Sequence, residues 1–252
     1  MKRPNRKRIN PAAVATRMLV RAEVAERRYV RGVQNLFDHI QGEYLALADM
    51  RMDSGIHKKT PWLAALEIRI LALVRSAGEK LFDRMAIEVV AASAWAIKDT
   101  LPAITLADTG FSAQMAVFRE ANLSLLDEAF REYAGAVRVV FESPSAIGAT
   151  VSQLQELLKQ AGVGTRARAE LIARDQTLKF NGQLAKARQV AAGVLKYTWV
   201  TSRDERVRAT HKALDRRVFH WGEPTPIGYE PGQDYQCRCV AVPVLDHLDN
   251  KA

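Results

Sequence analysis

Cysteine is nearly absent from this chain. Two stand in 252 residues, Cys237 and Cys239, with a single residue between them. So sparse a pair builds no disulfide framework, and a bridge between such near neighbours would be strained. The thiols therefore read as reduced, in a cytosolic setting. Long apolar runs are lacking as well. No stretch approaches the ~20 residues that a helix needs to cross a bilayer. The apolar hexad Pro11–Thr16 is too short for the core of a secretion signal, and Arg17 and Arg21 interrupt the residues beyond it. Both absences predict a protein made and used without membrane insertion and without the Sec route.

Negative charge is scarce at one end. Residues 1–31 hold ten Lys or Arg against two Glu, a net +8 of the chain's +9. The remainder is nearly neutral, so the charge is a basic N-terminal arm and not a property of the body. Lys2, Arg3, Arg6, Lys7 and Arg8 lie together there. Such a run neutralises phosphates without reading sequence, and it also serves as a solvated tail or docks on an acidic protein surface.

What the chain does have is helical pattern. From about Pro11, Val14, Met18, Val24, Tyr29, Val33, Phe37, Ile40 and Tyr44 recur at spacings that suit one amphipathic helix or two. Arg51–Pro61 is a loop by composition. Trp62–Leu101 is rich in Ala, Leu and Ile with few breakers apart from Gly78, and predicts one long or two medium helices ended by Pro102. Its apolar character suits either a bundle core or a face for a partner. "ADTGFS" reads as a turn and Ser112–Phe141 as helix. Residues 142–148 read as a linker. Beyond it come a helix closed by Gly162 and a second from about Arg166 to Ala192, with Thr165 as its N-cap.

At Gly193 the character changes. "LKYTWVTS", "RRVFHW" and "CVAVPVL" look like short strands, and "DERVRATHKAL" like a short helical turn. Tyr197, Trp199, Phe219 and Trp221 alternate along two of these strands and so share a face of each, as core residues do. The expected class is α+β: a basic arm at 1–10, a helical region at 11–141, the linker, and a module at 149–252 in which a long helix precedes short antiparallel strands and a short helix.

The chemistry-bearing side chains crowd into this module. Asp204, Arg206, Arg208 and His211 suit an active site, with Asp204 orienting His211 as general base and the arginines holding a phosphate. They suit equally a structural network in which Asp204 caps the short helix and pairs Arg206 or Arg208. His211, Cys237 and Cys239 offer an imidazole and two thiolates, a donor set for structural zinc, with Asp204 or His220 as a fourth ligand. No other cofactor is called for.

An ordered series of these pieces carries a resemblance. The helix "AELIARDQTLKFNGQLAKARQVAAGV" is followed by "YTWVTSRDERVRATHKALDRRVF", then "EPG", then "CRCVAVPV". This run resembles the phage head morphogenesis family, the Mu F-like minor head proteins. "FREANLSLLDEAFREYAGAVRVV" is similar to a further helix of that family. Two positions depart from the family pattern: Arg216 stands where glycine is usual, and Gln176 where glutamate is. The resemblance implies a non-enzymatic minor head protein of the virion. It would join the head in the host cytoplasm, associate with the portal protein at the portal vertex and remain in the capsid interior. There it would support DNA packaging or ejection, with non-specific contact to double-stranded DNA, no membrane and no small-molecule substrate. The alternative is a nuclease or ADP-ribosyltransferase-like enzyme centred on Asp204, Arg208 and His211. A host DNA-binding regulator would need a recognition helix, and no helix-turn-helix is evident.

Overall fold

The computed structural model describes residues 10–54, 61–98, 101, 105–143 and 149–245. It is a mainly helical α+β protein. Four long helices, α1 (Pro11–Ser54), α2 (Pro61–Ile97), α4 (Phe111–Glu142) and α5 (Val151–Ala191), make up most of the described chain, and the other elements are short. These are α3 (Leu106–Thr109), β1 (Lys196–Val200), α6 (Ala209–Lys212), β2 (Val218–His220) and β3 (Val240–Val244). None of the described helices is long and apolar enough to cross a membrane.

Local chemistry sets the helix ends. The Asn10 side chain accepts from the N–H groups of Ala12 and Ala13, which caps α1, and Pro11 takes the first helical position. Thr150 and Gln153 form a reciprocal capping box before α5. Gly193, at φ 76°, closes α5: its N–H reaches Val190 O, and the N–H of Val194 reaches Gln189 O.

Several expected boundaries differ. Arg51–Ser54 continue α1 instead of opening a loop, and α2 stops at Ile97, ahead of Pro102. Within "ADTGFS", Ala107–Thr109 are helical, because Thr105 and Asp108 make a capping box that Gly110 terminates. The two helices expected on either side of residues 162–165 are one, α5. Gly162 does not end it. A Cβ there would lie 2.7 Å from the Phe37 ring, so the glycine admits a close approach whose packing outweighs its helix penalty of roughly 1 kcal/mol. Thr165 is buried within the helix and caps nothing. In α1, Val24 is exposed and Ala22 and Ala25 take the buried positions.

The chain divides into two compact units. One comprises, of the described residues, 27–54, 61–84, 118–143 and 149–174. Its segments of α1, α2, α4 and α5 pack around Phe37, Phe130, Tyr133 and Tyr44; the Phe37 and Tyr133 rings stack at 5.3 Å. The buried Asn122 side chain accepts from the Tyr29 hydroxyl. Ion pairs join helices on the outside: Arg168 meets Glu128 and Glu132, Arg138 meets Glu67, and Arg75 meets Glu120. In α2 the residues Leu66, Ile70 and Val74 are buried at four-residue steps, whereas Ile68 is exposed. This stretch therefore contributes a core stripe, as the bundle-core reading expects.

The other unit comprises, of the described residues, 10–26, 85–98, 101, 105–117 and 175–245. It contains a three-stranded antiparallel sheet in the order β2-β1-β3. Side chains alternate across β1. Val200, with Val194, Val240 and Val242, packs against Val14, Met18, Ala96 and Ile97 of the helices. Tyr197 and Trp199 turn to the opposite face and form a second cluster with Leu214, Cys237, Cys239 and Ala241. Both aromatic rings are fully buried, so their alternation does mark core. Pro243, which cannot donate to a ladder, sits on β3 at the edge of the sheet.

Candidate metal centre

One stripe of α5 positions the segment that carries the cysteines. Asp175, Lys179, Gly182, Lys186 and Gln189 recur at three- and four-residue steps and so share a face. Asp175 accepts the backbone N–H of Gln236 at 2.7 Å and the Lys179 ammonium at 2.7 Å. Gln183 donates to the Gln233 side chain, which donates in turn to Lys179 O. Lys186 pairs with Glu230 at 2.6 Å, and Gln189 donates to Ala241 O at 2.8 Å while accepting from the Trp221 indole. At the centre of the stripe two backbones nearly touch: a Cβ on Gly182 would lie 2.8 Å from Pro231 O. Gly232, at φ 82°, is also in the left-handed region that glycine adopts freely.

Held this way, the segment brings Cys237 and Cys239 against α6. His211 Nδ1 lies 3.4 Å from the sulfur of Cys237 and 3.5 Å from that of Cys239. The ligand atoms of these three residues all fall within 4.8 Å of one another, and all three residues are buried. His211 Nε2 lies 3.0 Å from Asp234 Oδ2, and the same oxygen accepts from Arg208 at 2.8 Å. Arg208 also donates to Tyr235 O. The Trp199 ring stands edge-on to the imidazole at 5.6 Å. Between the thiols the ionisation is divided. A hydrogen bond from Cys239 pulls the Cys237 sulfur toward the thiolate against the cost of burial, helped by the N–H groups of Cys239 and Gly232 and by His211. That bond and burial hold Cys239 as the thiol.

The other expected partners go elsewhere. Asp204 does not orient His211 and does not cap α6, whose first position follows Arg208 without a side-chain cap. Its carboxylate pairs with Arg238 at 2.5 Å and accepts the Arg206 N–H at 3.0 Å. Burial pushes this carboxyl up, but the bond and charge of Arg238, with the Arg206 N–H and the Ser202 hydroxyl, outweigh it and hold it below the usual range. The Arg206 side chain is exposed. His220 is exposed on β2, and neither it nor Asp204 joins the His–Cys–Cys group. A polar surface depression is lined by Thr201, Arg203, Asp204, Glu205, Lys212 and Asp215, but His211 and Arg208 are not in its walls. The arm residues Lys2, Arg3, Arg6, Lys7 and Arg8 lie outside the described residues.

Each remaining element of the Trp199–Asp215 run has a structural partner. Thr201 gives its N–H and hydroxyl to Asp215, which closes the end of β1, and Leu214 is buried beside the cysteines. Arg216, where glycine is usual, has φ 64°, and its N–H bonds Trp199 O at 2.7 Å. The backbone here requires the left-handed region, which explains why glycine suits the position. Gln176 is buried beside Asp175, its amide 3.5 Å from that carboxylate. Sequence reasoning missed Asp175, Gln189 and Asp234. The stripe spacing in α5 was the available signal for the first two. Asp234, an isolated acid in a loop, offered none.

With this geometry in place, comparison with known proteins is informative. Residues 142–242 match the family model described as Phage Mu protein F like protein. An uncharacterized protein of Haemophilus influenzae is 36% identical over 126 residues, which is 50% of this chain and 28% of that protein. The chain thus spans little more than a quarter of the relative's length. No solved structure matches.

Proposed function

We propose, from the Phage Mu F-like character of residues 142–242, that this chain is a minor component of the phage head, bound to the portal protein at the portal vertex and retained in the capsid interior. The match over that segment carries the reading. The geometry of the module supports a structural role. The polar residues of its motif are engaged with one another: Asp204 with Arg238, Arg208 with Asp234, Thr201 with Asp215, His211 with Asp234 and the cysteines. The pairing of His211 with Asp234 instead of Asp204 speaks against an enzyme centred on Asp204, Arg208 and His211. In the proposed role the helices meet the portal, the α+β module is a rigid knob, and the basic arm touches double-stranded DNA through its phosphates, with the salt sensitivity that such contacts carry.

Quantitative mass spectrometry of purified heads, with cross-linking, tests this directly. The expected result is a low-copy internal protein cross-linked to the portal. Absence from heads, or abundance equal to that of the major shell protein, would contradict it.

A further inference from the structure

The His211–Cys237–Cys239 group sets an imidazole nitrogen against two sulfurs, and three features of its surroundings bear on its role. The first is spacing. A tetrahedral zinc ion with bonds of ~2.3 Å to sulfur and ~2.0–2.1 Å to nitrogen sets its nitrogen and sulfur donors about 3.5 Å apart. The two nitrogen–sulfur separations here are 3.4 and 3.5 Å.

The second feature is the direction of the imidazole. Asp234 is an acceptor, so Nε2 carries a proton and Nδ1 is the nitrogen that faces the sulfurs; in the neutral ring that nitrogen holds the lone pair a metal would take. A histidine that binds a metal through one nitrogen characteristically gives the other N–H to a carboxylate, which fixes both tautomer and ring orientation. The carboxylate is itself fixed, by Arg208 on the same oxygen and by the Tyr235 N–H on the other.

The third is the backbone leading into the pair. Gln236 is held at φ 54°, a region that a non-glycine residue occupies at a cost, and Asp175 of α5 pins its N–H there. The Cys237 N–H returns to Asp234 O, so one turn sets the first thiol and the histidine's carboxylate together. Strain and hydrogen bonds are both spent on aiming these groups.

We propose that His211, Cys237 and Cys239 bind one zinc ion, with Nδ1 and two thiolates as protein ligands and Asp234 as the carboxylate that orients the imidazole. The chemistry favours zinc over harder cations, because thiolate and imidazole are its preferred donors. It also balances charge: two thiolates in a buried site are costly alone, and one divalent cation neutralises them. Among the described residues no fourth His, Cys, Asp or Glu joins the group. The small cavity that Cys237 and Cys239 line together with Glu23 and Asn181 lies beside them. The ion would join α6 to the segment entering β3 across 26 to 28 residues of chain. This inference stands independently of the head assignment.

The test uses the full chain, purified under reducing conditions from zinc-replete cells. Elemental analysis should find one zinc per chain. After zinc is removed by a chelator, cobalt(II) should restore a tetrahedral visible spectrum with thiolate-to-cobalt charge-transfer bands. Cys237→Ser with Cys239→Ser should abolish both signals. Because that variant can fail to fold, Asp234→Asn supplies the second arm. It keeps all three ligands, and should remain folded by circular dichroism with zinc affinity lowered 10- to 100-fold. Folded wild-type protein without zinc and without a cobalt charge-transfer band would overturn the proposal. So would zinc that persists in the folded double serine variant, or an affinity that Asp234→Asn leaves unchanged.

Discussion

The two units of this protein are held together by different means. In the helical unit the interior is largely aromatic and aliphatic, with Tyr29 and Asn122 as a buried polar pair, and ion pairs such as Arg75 with Glu120 and Arg168 with Glu132 lie on the outside. Exposed pairs of this kind contribute about 0–1 kcal/mol each. In the unit that holds the sheet, polar groups reach the interior. His211, Asp175, Gln189 and Thr201 are buried, and each has a named partner. The difference teaches how a small sheet with little core is made specific: α5 lays a line of side-chain hydrogen bonds along the returning chain, and the His–Cys–Cys group closes the far side.

The contrast can be broken by substitution. The largest effect belongs to the aromatic interior. Phe37→Ala removes a fully buried ring that stacks on Tyr133 and should cost about 3–5 kcal/mol in denaturant unfolding. A loss below ~1 kcal/mol would show that packing does not dominate there. Next comes Asp175→Ala, which takes an acceptor from the Gln236 N–H and a partner from Lys179, and should cost about 1–3 kcal/mol. Asp175→Asn keeps a carbonyl oxygen for the N–H and should recover most of the loss; equal damage from both variants would point to the charge instead. The smallest effect is a gain. Arg216→Gly relieves a left-handed residue and should stabilise by roughly 1 kcal/mol, whereas Arg216→Ala, which keeps a Cβ, should not.

These particulars also mark what could be read from sequence. The long helices were legible because Tyr29, Val33, Phe37, Ile40 and Tyr44 repeat at helical steps, and the strands because Tyr197 and Trp199 alternate. The continuity of α5 was not. Gly162 looks like a stop, and the close packing of Phe37, Gln41 and Tyr133 against it explains why the helix runs on. At the site, His211, Cys237 and Cys239 could be nominated as zinc ligands from donor chemistry alone, whereas the choice of Asp234 over Asp204 beside His211 is a matter of loop geometry. Nothing local distinguishes one acid from the other. Asp204 stands seven residues before His211 and Asp234 twenty-three after it; in the fold Asp204 pairs with Arg238 and Asp234 with the imidazole. The departure at Arg216, by contrast, needed only its φ angle to be understood.

The central claim is that His211 belongs to the framework of the sheet unit and is not a free catalytic base. Amide hydrogen exchange on the full chain, wild type against His211→Ala, tests it most directly. The account predicts that the variant loses protection across β1, β2 and β3 and through the 230–241 segment, while amides of the helical unit from Tyr29 to Tyr44 and from Leu123 to Val137 keep theirs. Unchanged protection throughout the sheet unit would contradict it, and would leave the imidazole free for chemistry.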